Sequence, residues 1–360
     1  MPRLEKRPRQ SRGWTMVAPV LAVIATMVVG GILFAALGKP PVEAIRTIFW
    51  DPLFSEFGWY YRPQILIKAA PLILIATGLS LGFRAGIWNI GAEGQYIIGA
   101  IAGAGVALAF HPADYRFIFP LMIVAGAAGG ILWAMIPALL KVRLGTNEIL
   151  VSLMLVYVAE HILSSVSFGL LRNPEGQGFP GSRNLQHYEA ASNPELWAGT
   201  GIHWGVIAAL VAPAAAYVLL NRHILGYRIR LLGQAPRAAR FAGVRPNVLI
   251  VACLGISGGL AGVAGMFEVS GPMGQINVDF NQGLGFTAII VAFLGRLHPF
   301  GIVLAGLLLA LTSVGGEIAQ SGLGLPAASI KAFQGMLLFF ILATDVLSNY
   351  RIRFGKTEAA

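Results

Sequence analysis

The densest run of polar groups inside an apolar stretch of this chain is RAGIWNIGAEGQ, residues 84–95. Arg84 stands at the boundary of one apolar stretch, and Trp88, Asn89, Glu93 and Gln95 lead into the next. Asn89 and Glu93 are four apart, which on a helix places them on one face. Gly86, Gly91 and Gly94 break helical regularity and admit a second backbone. Ionisable groups at membrane depth are costly unless paired or set against water, so each marks a candidate site. An unwound polar stretch of this kind suits a path for a polar solute lined by Trp88, Asn89, Glu93 and Gln95. The same residues also suit plain helix packing, with Glu93 hydrogen-bonded to its neighbours.

Motifs that resemble enzyme chemistry fail on their setting. Gly355-Lys356-Thr357 ends like a phosphate loop, but the position of the required first glycine is Tyr350. GLGFTA (283–288) and GLGLPA (322–327) mimic a dinucleotide fingerprint without a strand–turn–helix context. The six histidines (111, 161, 187, 203, 223 and 298) have no metal-ligand spacing. No GxSxG elbow occurs. Neither catalysis nor a metal is expected of this chain, and it should bind no cofactor of its own.

The elements that must position the polar run follow from composition. Of 360 residues 56% are hydrophobic and 12% charged, against about 25% charged in soluble domains. So few charges cannot coat a soluble fold, one cysteine (Cys253) cannot staple one, and the low polarity excludes disorder. The reading is an all-α polytopic membrane protein. Crossing the hydrocarbon core takes about 20 apolar residues. Such spans are predicted at 16–37, 64–83, 86–110, 117–140, 149–171, 202–220, 248–269, 300–318 and 330–347. A tenth stretch, 284–295, is short: a shallow crossing or a re-entrant segment. Long unbroken apolar runs leave no room for alternating barrel strands.

The net charge of +10 comes from 26 Lys+Arg against 16 Asp+Glu. With ten crossings and both termini cytoplasmic, 18 basic residues fall inside and 26 − 18 = 8 outside, as the positive-inside rule requires. The basic residues therefore sit at helix ends beside the membrane lipid, and nucleic acid is not expected as a partner. Residues 1–15 form a basic leader to a retained signal-anchor, since the first apolar stretch exceeds a signal-peptide core. Residues 16–350 form the membrane domain and 351–360 a cytoplasmic tail.

Two connections exceed turn length. Residues 172–201 are rich in Gly, Pro, Asn and Ser, and form either an irregular cap on the outer side or a loose connector. Residues 221–247 carry six arginines on the inner side. Within them Pro236–Gly243 reads as a short helix, with Pro at its first turn and Gly as its stop. It suits docking into a groove of a cytoplasmic partner, or is an ordinary basic loop.

Other polar residues have simpler readings. Lys68 and Glu160 either pair or lie near interfaces. Glu268, Glu317 and Asp345 fall near span ends, within reach of snorkelling. Thr146 is a candidate N-cap, with Asn147 and Glu148 in the first turn beyond it. GISGGLAGVAG (255–265) has Gly at GxxxG spacing and predicts close packing within the chain or across a dimer. Pro71, Pro137 and Pro213 interrupt spans in a manner membrane helices tolerate.

Residues 82–99, GFRAGIWNIGAEGQYIIG, resemble the signature of the branched-chain amino acid/simple-sugar class of ABC importer permeases. They are most similar to its nucleoside-type branch, whose solute receptors are basic membrane lipoproteins. TNEILVSLMLVYVA (146–159) resembles that branch's fifth-span motif, and RLLGQAPRAARFAGV (230–244) its cytoplasmic coupling segment. The similarity spans roughly residues 60 to 350. It implies a permease of about ten spans in a prokaryotic inner membrane, paired with a second homologous permease or with itself. It also implies a cytoplasmic ATPase carrying ATP-Mg and an external solute-binding lipoprotein or periplasmic protein. Coupling to the ATPase would fall to Gly233, Arg237, Ala238, Ala239, Arg240, Phe241 and Gly243. The expected transport is alternating access for a nucleoside; a simple-sugar permease and a stand-alone secondary transporter are the alternatives.

Overall fold

The computed structural model of the chain describes residues 3–6 and 12–353, with side chains over 17–344. Residues 1–2 and 7–11 of the leader, and 354–360 with Gly355-Lys356-Thr357, lie outside the described residues, as does the side chain of Asp345. In chain order the elements begin β1 (Arg3–Lys6), α1 (Arg12–Ala36), α2 (Pro41–Phe49), α3 (Asp51–Phe54), α4 (Gly58–Arg84) and α5 (Ala92–Phe110). There follow α6 (Ile118–Leu144), α7 (Glu148–Phe168), α8 (Trp204–Arg222), α9 (Ile224–Gln234), α10 (Pro236–Phe241) and α11 (Pro246–Ser270). The chain closes with α12 (Leu284–Leu294), α13 (Pro299–Leu323), α14 (Ala327–Asn349) and β2 (Tyr350–Arg353).

Among the described residues the fold is all-α apart from the two four-residue strands. Nine helices among the described residues are long and apolar enough to cross a membrane: α1, α4 to α8, α11, α13 and α14. Helices dominate because each satisfies its backbone polar groups within its own segment, which a hydrocarbon environment demands. The short stretch at 284–295 becomes α12, whose 11 residues rise about 16 Å, half of the ~30 Å hydrocarbon core.

Several local expectations change. The third span starts at Ala92 rather than 86, because 87–90 are not helical. Asn89 therefore precedes the helix and does not share a helical face with Glu93. Asn147 rather than Thr146 caps α7, its Oδ1 accepting from the Ile149 N–H at 2.9 Å. The amide reaches this N–H in an extended backbone, and Thr146 stands one residue too early. Glu160 accepts from Asn281 Nδ2 at 2.6 Å. Glu268 is buried with the Lys68 charge acting on it, so it does not snorkel to an interface. The prolines at 71, 137 and 213 lie inside α4, α6 and α8 as read.

The described parts of Met1–Tyr61 and Leu311–Ala360 form one compact unit. In it α1 packs along α14, and the Phe34 and Phe333 rings stack with centroids 6.0 Å apart over Ala44, Ile48 and Ala319. β1 pairs antiparallel with β2, with Arg3 opposite Arg353.

Arg62–Ala310 is the second unit, built on the mutual packing of α5, α6 and α11. The GxxxG run works here within the chain: a methyl on Gly262 would overlap the carbonyl oxygen of Gly126 in α6. Backbones this close maximise dispersion contact where no hydrophobic force acts between helices. Residues 172–201 are a packed cap rather than a loose connector. Its backbone is pinned by Ser182 N–H to Ile276 O (2.8 Å), Leu185 N–H to Gly274 O (2.6 Å) and Asn193 N–H to Ser270 O (2.8 Å).

Candidate functional site

The polar run lies where α4 stops at Arg84 and α5 begins at Ala92. Between them the chain is irregular, and side chains replace the missing helical hydrogen bonds. Asn89 holds the turn. Its Oδ1 accepts from the Gly91 N–H (3.1 Å) and from Gln95 Nε2 (3.1 Å). Its Nδ2 donates to Gln95 Oε1 (2.8 Å) and to Ser257 Oγ of α11 (2.9 Å). Two amides thus close on each other, and α11 supplies the remaining acceptor. Ile90 N–H donates to Ser152 Oγ of α7 at 3.3 Å.

Glu93 turns elsewhere. Fully buried, it accepts from the Gly283 N–H at 3.0 Å through Oε1 and from the Gly285 N–H through Oε2. These N–H groups open α12, and Glu93 itself sits in the first turn of α5. Two helix N-termini, each carrying about half a positive charge, therefore meet on one carboxylate. The Trp88 ring stays outside the polar network: the residue is 38% exposed, its ring tilted against Phe83 and stacked on Phe293 with centroids 5.0 and 5.9 Å away. Asn89 and Gln95, at 2% and 1% exposure, are as closed off as Glu93. The structure brings Asn89 and Gln95 together, ties Glu93 to α12, and leaves Trp88 at the edge.

The basic segment is more structured than its sequence predicts. Before Pro236 the chain forms a helix of its own, α9, capped by His223 Nδ1 accepting from the Leu225 N–H at 3.1 Å. The loop reading missed it because Gly226, Gly233 and the arginines hide its apolar side. Ile229 and Leu232 of α9, Ala239 of α10 and Val244 are buried with Leu81, Ala85 and Ile87 in one core. α10 spans Pro236–Phe241, with Pro236 in its first turn as expected. Ala239 faces in, whereas Arg237, Ala238, Arg240, Phe241 and Gly243 are exposed, and Phe241 is 94% exposed.

Gly233 lies against the end of α4, where a methyl would overlap the Arg84 carbonyl oxygen. From the same residue Arg84 Nε donates to Leu297 O just beyond α12, at 2.9 Å. The segment holding α10, the end of α4 and the end of α12 thus meet around Arg84. Composition and spacing gave no sign of this junction, nor of Ser257 and Gly283–Gly285 as partners. Buried and without a protein partner among the described residues are also the Tyr96 hydroxyl and the Trp133 indole N–H.

The family described as branched-chain amino acid transport system / permease component matches residues 62–342. The chain belongs to that family. The permease is 35% identical over 345 residues to the glucose ABC transporter permease protein TsgB13 of Haloferax volcanii, covering 93% of this chain and 89% of that one. It is 29% identical over 345 residues to the guanosine ABC transporter permease protein NupP of Bacillus subtilis, covering 94% and 95%. Against the nucleoside ABC transporter permease protein NupB of Lactococcus lactis identity is 26% over 339 residues, covering 92% of each. No solved structure matches. The permease is thus the membrane subunit of an ABC-type importer for a small polar solute, a transport subunit rather than an enzyme, in a prokaryotic inner membrane. Membership implies a cytoplasmic ATPase partner.

Proposed function

We propose that this permease translocates a nucleoside by alternating access, driven through α10 by ATP-Mg bound on a partner ATPase. The observation that carries the coupling is the exposed α10, whose Phe241 projects from a helix anchored by Ala239 to the ends of α4 and α9. A helix of six residues has no intrinsic stability. Its place in the buried core lets a push on α10 reach Ile87, two residues before Asn89. In the open state Trp88, Asn89, Glu93 and Gln95 line the solute path, the Asn89–Gln95 amide pair exchanging its partner for solute hydroxyls. Gly233, Arg237, Ala238, Ala239, Arg240, Phe241 and Gly243 form the coupling surface.

The solute reading is supported by the guanosine and nucleoside permeases matched over most of their length. Glucose is the second reading, supported by the 35% identity to the glucose permease. A second homologous permease or another copy of this chain completes the pore, and an external solute-binding lipoprotein or periplasmic protein delivers the solute. Ten crossings with both termini cytoplasmic are supported by the pairing of β1 with β2, which holds the two ends of the chain on one side. In this reading α12 supplies the short tenth crossing.

Uptake of guanosine and of glucose is measured in cells with and without the ATPase subunit. Import that vanishes with the ATPase supports the reading. Undiminished, gradient-driven import identifies a stand-alone secondary transporter instead.

A further inference from the structure

At the end of α11 away from α10 the second unit holds a cavity of about 540 Å³. α11 rises about 37 Å over its 25 residues, so cavity and coupling helix lie a membrane thickness apart. The walls come from the start of α4 (Gln64), the cap (Gln186, Asn193, Glu195), the residue capping α8 (His203) and the end of α11 (Ser270). Ligand cavities typically measure about 300–1,000 Å³. This one is large enough for a nucleoside or a monosaccharide.

His203 is the informative wall. It is 3% exposed, and its Nδ1 accepts from the Gly205 N–H at 3.0 Å. Asn193 Nδ2 lies 3.0 Å from the same nitrogen and, with Nδ1 accepting, donates to it. A backbone N–H can only donate, so Nδ1 is the unprotonated nitrogen and the proton sits on Nε2. That Nε2 is buried and has no partner among the described residues. A buried donor left unmade costs about 1–3 kcal/mol, and because His203 is a wall of the cavity, a small shift of that wall on binding would offer the donor to a ligand oxygen. Burial also pushes the imidazole down to about 4, so the ring is neutral at physiological pH.

Charge narrows the ligand. None of the described lining residues is Lys or Arg, and the one ionisable carboxylate, Glu195, is negative. A phosphate or a free carboxylate finds no counter-charge here, whereas hydroxyl groups match the Gln64 and Gln186 amides and the His203 donor. We infer that this cavity is the outer receiving site of the permease, taking an uncharged solute with adjacent hydroxyl groups and excluding nucleotides and amino acids. The inference rests on the importer reading, because α10 on the ATPase side makes the cavity face the outside.

The test labels the cavity in the complete transporter held in nanodiscs. Ser192→Cys puts a thiol on its wall, while the chain's own Cys253 is buried. Alkylation of the introduced thiol is timed with millimolar guanosine, glucose, guanosine monophosphate or leucine. Guanosine, glucose or both should slow labelling, and the one that protects names the source of the hydroxyls. Guanosine monophosphate and leucine should leave the rate unchanged.

Adding His203→Asn keeps an acceptor for the Gly205 N–H and removes the Nε2 donor. It should weaken protection roughly tenfold, the equivalent of about 1.4 kcal/mol, without lowering the yield of assembled transporter. His203→Gln does the reverse, keeping a donor near the Nε2 position and losing the cap. It should retain protection and lower the yield. Labelling untouched by every solute, or slowed equally by leucine or the nucleotide, overturns the inference. Uptake is read in parallel: ATP-driven import without protection leaves the importer reading standing and removes this site. Protection without ATP-driven import does the opposite.

Discussion

Replacing Glu93 by Gln tests the junction of α5 and α12 directly. In the native chain one carboxylate accepts from the Gly283 and Gly285 N–H groups, both at the start of α12. A hydrogen bond to a charged group is worth about 1.5–3 kcal/mol and one to a neutral group about 0.5–1.5. Glutamine has one acceptor oxygen, so one N–H keeps a weakened bond, a loss of about 1 kcal/mol. The other N–H faces the amide NH₂ group and loses its bond entirely, about 1.5–3 kcal/mol more. Removing the negative charge from two helix N-termini adds about 1 kcal/mol.

The expected cost is about 3–5 kcal/mol, a large fraction of a typical stability of about 5–15 kcal/mol. Hydrogen exchange of the Gly283 and Gly285 amides in the assembled transporter should accelerate by roughly two to four orders of magnitude, with a lower melting temperature. Glu93→Asp keeps the charge but retreats by one methylene, so it should hold one N–H and fall between the two. Unchanged exchange and melting in Glu93→Gln, with uptake lost, would refute the cap and leave Glu93 solely as a path residue.

Four further outcomes are expected. Phe241→Ala removes an exposed ring whose burial on docking is worth about 1.5–3 kcal/mol, so ATPase affinity in membranes should fall roughly 10- to 100-fold with normal insertion. Gly233→Ala forces α9 off the Arg84 carbonyl at a cost of about 1–3 kcal/mol, and should lower solute imported per ATP hydrolysed while the ATPase still binds. Asn89→Ala removes four hydrogen bonds and strands the Gln95 amide, which should cost about 2–4 kcal/mol in thermal unfolding of the purified transporter. The fourth concerns His203, whose folded pKa of about 4 lies below the ordinary 6.5. The unfolded chain binds the extra proton, so this contribution is complete above pH 6.5 and is lost as pH falls to about 4, by about 3 kcal/mol in all. Protection factors across 185–203 at pH 7 and pH 4.5 measure it.

Much of the fold was legible because hydrophobic length is a one-dimensional property. Runs of about 20 apolar residues predict spans wherever they occur, and all nine predicted starts fall within six residues of the starts of the helices found. The failures share one cause. Hydrophobic length alone extends the third span back to 86 through the apolar Ile87 and Ile90, yet the Asn89 side chain competes with helical hydrogen bonding there and wins. Helix α9 is hidden because its apolar residues face a core that needs Leu81 of α4 and Ala85 and Ile87 beyond it, a segment remote in sequence.

What the sequence determined by itself was the class of molecule and where its chemistry gathers. Too few charges for a water-soluble surface require a membrane, and a polar run of twelve residues is conspicuous against that background. The tertiary structure decided what those residues do in the state described. Glu93 and Gly285 are 192 positions apart and Asn89 and Ser257 168, and no local pattern encodes either meeting. The neutral His203 is of the same kind: its tautomer follows from the N–H groups that converge on one ring nitrogen once the cap has folded. Spacing can announce a polar residue, but only packing supplies its partner, and the partner sets whether it caps a helix, closes a turn or waits for a ligand.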